Sequence, residues 1–163
     1  MTGFHTAEVT DPIVVALLGE YFDGRARTFP GGKQEYVRTF PSPTDFEPPR
    51  GVFLIVEGED LAGDAADVGC GGIRLVPPAP DGTIRYEIKH LYVQPHVRGN
   101  GTGGQLLSEL ERRAAGFGAA EVVLDTNASQ AAAARLYERT GYEQIEPYND
   151  NPNATHWYRK RLA

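Results

Sequence analysis

Arg98-Gly99-Asn100-Gly101-Thr102-Gly103-Gly104 places four glycines directly behind an arginine, after an extended apolar run and before an amphipathic segment. Without a Cβ, the backbone turns tightly here and lies close against a ligand. At a helix start, the first N–H groups have no intrahelical acceptor, and the positive end of the helix dipole stands behind them. The stretch is therefore expected to hold a phosphate or pyrophosphate.

Elements follow on both sides of it. Upstream, Val52 to Glu57, Asp67 to Val76 and Thr83 to Val93 read as three strands joined by turns, hence an antiparallel meander. Downstream, Gly103 to Phe117 carries Leu106, Leu107, Leu110 and Ala114 at helical spacing. Glu121 to Thr126 reads as a buried strand, and Ser129 is expected to cap a helix that runs to Thr140 and stops at Gly141. Gln144 to Tyr148 and His156 to Arg161 offer two last strands. Near the start, His5 to Val9 reads as a strand, and Asp11-Pro12 opens a helix that Gly24 and Phe29-Pro30-Gly31-Gly32 are expected to break. Lys33 to Phe40 is predicted as a second, shorter helix. Pro41 to Pro49 holds too many prolines for regular structure.

Composition narrows the classes. The chain has 163 residues, 40% of them hydrophobic and 23% charged, ordinary for one soluble domain spanning residues 1–163. Its net charge of −6 argues against a nucleic-acid partner, which would need a basic face. No apolar run reaches the roughly 20 residues of a membrane helix. Met1 to His5 lacks the basic and apolar regions of a signal peptide, so a cytoplasmic location is expected. The single cysteine, Cys70, excludes an internal disulfide and reads as a small core residue. His5, His90, His96 and His156 lack ligand spacing, and no metal is expected.

Two phosphate-binding devices compete for the glycines. Gly99-x-Gly101-x-x-Gly104 formally fits the dinucleotide fingerprint, with Asp125 about twenty residues on as the ribose acid. In that fold, however, the strand runs straight into the first glycine, whereas Gln94 to Arg98 intervene here and the strands before them are antiparallel. Only about sixty residues follow, too few for the second half of such a sheet. An NAD- or flavin-dependent enzyme is therefore the alternative, together with an acyl-CoA-binding module without chemistry.

Arg98-x-x-Gly101-x-Gly103 fits the Q/R-x-x-G-x-G/A pattern better, and so do its surroundings. These are Glu87 to Val93 with Pro95 before it, Leu106-Leu107 after it, then Leu124-Asp125-Thr126 and Ala134 to Tyr142. In this order the motifs resemble those of the GNAT N-acetyltransferase superfamily, over residues 68–148. The resemblance implies an α/β (α+β) fold, a mixed, largely antiparallel splayed sheet of about 6–7 strands flanked by about 4 helices. It implies acetyl-CoA as cosubstrate, with the pyrophosphate on the backbone of Arg98, Gly99, Asn100, Gly101, Thr102, Gly103 and Gly104. The pantetheine arm would pair with Leu91, Tyr92 and Val93, and Asn127 and Tyr137 would face it from the other side. Asn100 and Gln105 stand where basic residues are frequent, so the backbone would carry the phosphate contacts.

The implied reaction is direct transfer of an acetyl group to a primary amine of a small molecule, or to a peptide or protein amine. Tyr137 is the candidate acid for the departing thiolate, its rival role being a core aromatic. Glu87 is the candidate base, against a solvated pair with Lys89 on one side of the strand. His90 and a water route are the other options for the base. A bulge near Leu91 would re-aim the strand's side chains. The acceptor pocket is expected to come from the first helices, residues 41–49 and Tyr148 to Pro152. The acidic surface leans mildly toward small cationic amines, and a homodimer is one assembly the resemblance allows.

Overall fold

The computed structural model describes residues 3–162. Seven strands form one sheet in the order β1-β2-β3-β4-β5-β7-β6. The strands are β1 (Gly3–Thr6), β2 (Gly51–Glu59), β3 (Ala65–Val76), β4 (Arg85–Val93), β5 (Glu121–Thr126), β6 (Glu143–Ile145) and β7 (His156–Arg161). Every pairing is antiparallel except β4 with β5. Three α-helices accompany them: α1 (Pro12–Thr28), α2 (Thr102–Gly116) and α3 (Ala131–Arg139). Short 3-10 turns at Pro43–Phe46 and Pro95–Val97 complete the regular structure.

The continuous apolar run of β2 follows from burial on both sides. Successive side chains of a strand point to opposite faces. Val52, Leu54 and Val56 enter a core with Leu106, Leu107 and Leu110 of α2, whereas Phe53 and Ile55 enter a second core with Val14, Leu17, Leu18 and Phe22 of α1. Helices thus cover both faces of the sheet, and each fully buried leucine or phenylalanine contributes about 1.5–3 kcal/mol. Gly72 of β3 is required by this packing, because a Cβ there would lie 2.7 Å from the Phe46 ring and 2.8 Å from that of Phe53.

Three expectations need correction. Lys33 to Phe40 forms no helix, so there are three α-helices where four were expected. The backbone groups a helix would use internally are engaged elsewhere: the Val37 N–H donates to Asn153 Oδ1 at 3.0 Å, and Asn153 Nδ2 donates to the Val37 carbonyl. Gly24 does not break α1, since the roughly 1 kcal/mol glycine penalty is outweighed by the burial of Phe22 and Ala26 on either side. The helix ends instead at Phe29, whose extended backbone (φ −70°, ψ 133°) is what a residue before proline adopts. Ser129 is not the cap of α3, which begins at Ala131 behind Gln130. The cap-like contact comes one turn earlier, where the Ser129 N–H donates to Asn127 Oδ1 at 2.9 Å. At α1 the expected cap is present, with Asp11 Oδ1 accepting from the Ile13 N–H at 2.9 Å.

No described helix is long and apolar enough to cross a membrane.

A cavity between two parting strands

β4 and β5 are paired only at Arg85, Tyr86 and Glu87 with Glu121, Val122 and Val123. Beyond Glu87 the strands separate, and a cavity of about 1080 Å³ lies between and around them. The separation coincides with an irregularity in β4. Cys70 faces Tyr92 while Gly72 faces Lys89, so β4 carries one extra residue against β3. That bulge contains His90, at φ +58°. A bulge twists and bends its strand, which here carries Leu91 to Val93 away from β5.

At the far end of the opening, the glycine turn leads into α2. Gly99 (φ +86°) and Gly101 (φ +91°) occupy the left-handed region, and at both a Cβ would project into open space. Gly101 is the N-cap of α2, so Gly103 and Gly104 lie in the first turn, where the helix supplies no acceptor for their N–H groups. Asn100 folds back onto the same end: its Oδ1 accepts from the Thr102 hydroxyl at 2.6 Å and the Thr102 N–H at 3.2 Å. Arg98 points inward, its Nε donating to the Val93 carbonyl at 2.7 Å and its guanidinium lying 5.7 Å from the Tyr92 ring centre.

Of the residues the resemblance assigns to the cosubstrate, Leu91, Tyr92, Val93, Arg98, Gly99, Gly101, Gly103, Gly104 and Tyr137 all line this one cavity. Asn100, Thr102 and Asn127 do not line it. Asn127 is buried and donates through Nδ2 to the Asn153 carbonyl at 3.0 Å, so its side chain holds the C-terminal loop. Tyr137 is 6% exposed and packs on Tyr142 and Tyr158. Its hydroxyl has no hydrogen-bond partner among the described residues, and burial pushes its pKa well above the usual phenol value.

Glu87 lies outside the cavity wall and is 1% exposed. One carboxylate oxygen accepts from Arg74 Nε at 3.0 Å and Nη2 at 2.9 Å. The other accepts from the Tyr148 hydroxyl at 2.7 Å and Asn149 Nδ2 at 3.3 Å. Lys89, on the same side of the strand, turns to Asp125, 3.8 Å away. The solvated Glu87–Lys89 pair is therefore absent, and each side chain has a different partner.

His90 sits on the cavity wall among the rings of Tyr21, Phe22, Phe46 and Phe53. Burial, and then the charges of Lys89, Arg74 and Arg25, push its pKa down to about 3, so the ring is neutral at pH 7. Its Nδ1 is buried with no hydrogen-bond partner. Cys70 is fully buried, donates from Sγ to the His90 carbonyl and has its pKa raised by burial, which fits a core residue.

An asparagine ladder that individual motifs did not reveal closes one side. Asn149 and Asn151 donate to the two oxygens of Asp125 at 2.7 and 3.0 Å, and Trp157 Nε1 donates to Asn149 Oδ1 at 2.9 Å. The alternating Asn149-x-Asn151-x-Asn153 spacing was the available signal, since the N–H of each later asparagine donates to the side chain of the one before.

The sheet has one parallel pair in an otherwise antiparallel order, unlike the parallel array that holds a dinucleotide. Comparison with known proteins agrees. The acetyltransferase (GNAT) family model matches residues 18–142. An uncharacterised N-acetyltransferase of Schizosaccharomyces pombe is 33% identical over 107 residues, 66% of this chain. That alignment spans 61% of the yeast protein's own length. A Klebsiella pneumoniae structure, assigned as an acyl-CoA N-acyltransferase, superposes with a TM-score of 0.71 at 27% identity, covering 100% of this chain and 99% of the other. A GNAT family acetyltransferase from Elizabethkingia anophelis, solved with acetyl-CoA bound, shares the fold at a TM-score of 0.59 and 18% identity, covering 99% and 98% of the two chains. With the family model running from within α1 to just past the end of α3, the chain belongs to the GNAT acetyltransferase family.

Proposed function

We propose that the protein is an acetyl-CoA-dependent N-acetyltransferase that acylates the primary amine of a small molecule. The observation that carries this reading is the parting of β4 from β5 directly onto the glycine turn, which joins a strand edge and an anion cradle in one cavity. The residues fit the cosubstrate. Open space beside Gly99 and Gly101 admits a phosphate group, and the first-turn N–H groups of Gly103 and Gly104 are available to it. The backbone of Leu91, Tyr92 and Val93 pairs with the amide arm as one strand adds to another. The Elizabethkingia protein of the same fold holds acetyl-CoA, which supports the assignment.

When bound, acetyl-CoA supplies an electrophilic thioester. Tyr137 supplies the proton: its unpartnered hydroxyl stays protonated at neutral pH and reaches the cavity, so it is the donor to the departing sulfur. Deprotonation of the amine is assigned to water in the cavity. Glu87 is enclosed, its oxygens are shared between Arg74, Tyr148 and Asn149, and its role in this proposal is to fix that wall. His90, neutral and weakly basic, is a poor proton acceptor at pH 7.

Thermal unfolding with acetyl-CoA, CoA and NAD tests the reading, because a ligand that binds only the folded state raises its stability. Stabilisation by both CoA forms, with none by NAD, and thiol release on adding amines are the expected outcomes. Stabilisation by NAD alone overturns the proposal, and CoA binding without thiol release from any amine leaves a binding module.

A further inference from the structure

The cavity and the chain as a whole differ in the sign of their charge. The chain carries −6, yet six cationic side chains and only two carboxylates, Glu20 and Asp125, line the cavity. Both carboxylates are engaged. Glu20 accepts from the Tyr92 hydroxyl and Gln94 Nε2, and Asp125 from Asn149 and Asn151. Arg98 belongs to the glycine turn. Lys89, by contrast, lies at the β4 bulge, four residues before Val93, on the order of 13 Å at the rise of a strand.

Arg25 of α1 faces that same bulge. Its Nη1 donates to the Tyr21 hydroxyl at 3.0 Å, and the Tyr21 ring packs edge-on against His90 with ring centres 5.7 Å apart. No carboxylate among the described residues lies within ion-pair distance of Arg25, whereas Arg74 and Lys89 on the same cavity wall each have one; Arg27 and Arg139 also have none but are exposed. The guanidinium is half-buried, and it is close enough to favour the negative form of both Tyr36 and Tyr137. On the other side of the Tyr21 ring, the enclosed Nδ1 of His90 has no partner. A guanidinium with no counter-charge, on a cavity wall, is a site for an anion supplied by a ligand.

We infer that the acceptor is a primary amine that also carries a carboxylate, an amino-acid-like molecule, and that Arg25 binds this carboxylate. The inference rests on the acetyl-transfer reading and reverses the mild preference for cationic amines drawn from the acidic surface. The carboxylate is held on the α1 side of the β4 bulge, away from the cradle, which leaves the amine to approach the thioester. A planar, bidentate guanidinium suits a carboxylate better than a lysine would.

The test compares α-amino acids with their carboxamides, as acceptors in thiol release and as ligands of the CoA-loaded protein by calorimetry. In the wild type, kcat/KM and affinity for the carboxylate member exceed those of its amide by about tenfold or more, the range of a charge-assisted contact. In R25Q the ratio falls to within about twofold of one, and R25K, which keeps the charge but not the fork, is intermediate. CoA affinity is the control that separates a carboxylate site from a phosphate site. Equal or reversed preference in the wild type overturns the inference, and so does an R25Q variant that keeps the carboxylate ratio; loss of CoA affinity alongside would make Arg25 a phosphate contact instead. If no amine releases thiol, acetyl transfer is what fails, and the calorimetric ratio alone decides for or against the carboxylate site.

Discussion

His90 has a backbone conformation that few side chains tolerate, and four aromatic rings enclose it. Its proton uptake couples to folding. The unfolded chain binds this proton near pH 6.5 and the folded chain only near 3, so acid favours the unfolded state. The contribution is intact above pH 6.5 and is lost as pH falls from there toward 3, about 2 kcal/mol of it by pH 5. H90N removes the titration with a residue that also accepts positive φ, and its urea-unfolding stability is expected to fall less between pH 7 and pH 5 than the wild type's. A second contrast concerns Tyr137 and Glu87. Y137F is expected to lower kcat by about 100-fold with CoA affinity preserved, while E87Q leaves the pH–rate profile in place and lowers stability by about 1.5–3 kcal/mol. Stopped thiol-release assays and calorimetry separate the two. An E87Q profile with its acidic limb displaced or lost would restore Glu87 as the base. The place of Tyr137 on the cavity wall was legible because its neighbours Leu136 and Glu138 form a local motif. The surroundings of His90 and Glu87 were not, because Tyr21, Phe46, Arg74 and Tyr148 reach them from remote parts of the chain.

Among the elements, several were read from local signals, although Gly24 as a stop and Ser129 as a cap misled. The Asp11 cap, the glycines before α2 and the apolar spacing of Leu106, Leu107 and Leu110 all lie within a turn or two of what they specify. The helix expected over Lys33 to Phe40 fails for the opposite reason: the decisive partner, Asn153, is 116 residues from Val37. The β4 bulge was foreseen near Leu91 only as a device that would re-aim side chains, and it is found at His90, one residue earlier. At the turn into α2, G101A tests whether the positive φ matters. Nothing crowds a Cβ there, so the expected loss of about 1–2 kcal/mol comes from left-handed backbone strain alone. The same methyl group projects into the cradle, and weaker CoA binding by titration should accompany the stability loss seen on chemical denaturation. Wild-type CoA affinity in G101A would mean that the phosphates rest elsewhere.

For the whole molecule, the distribution of charge matters more than its total. An acidic chain with a cationic cavity repels a polyanionic ligand at long range and attracts it at the mouth, and salt screens both beyond a Debye length of about 8 Å. Contact attraction should dominate once CoA is seated, so the KM for acetyl-CoA is expected to rise about three- to tenfold from 50 to 500 mM salt. Steady-state kinetics at matched acceptor concentration measures it, and a falling KM would show that the acidic exterior governs capture. The cavity also has walls of unequal strength. The bond from Arg98 to the Val93 carbonyl makes the glycine turn and the β4 edge a single body. On the opposite wall the backbone of half-exposed Val37 is tied to the C-terminal loop by the amide of Asn153, a side chain posing as a strand partner. If the enclosure opens between that segment and the C-terminal loop, this amide must let go, and the Val37 N–H is its clock: its exchange with solvent deuterium reports how often the door stands ajar.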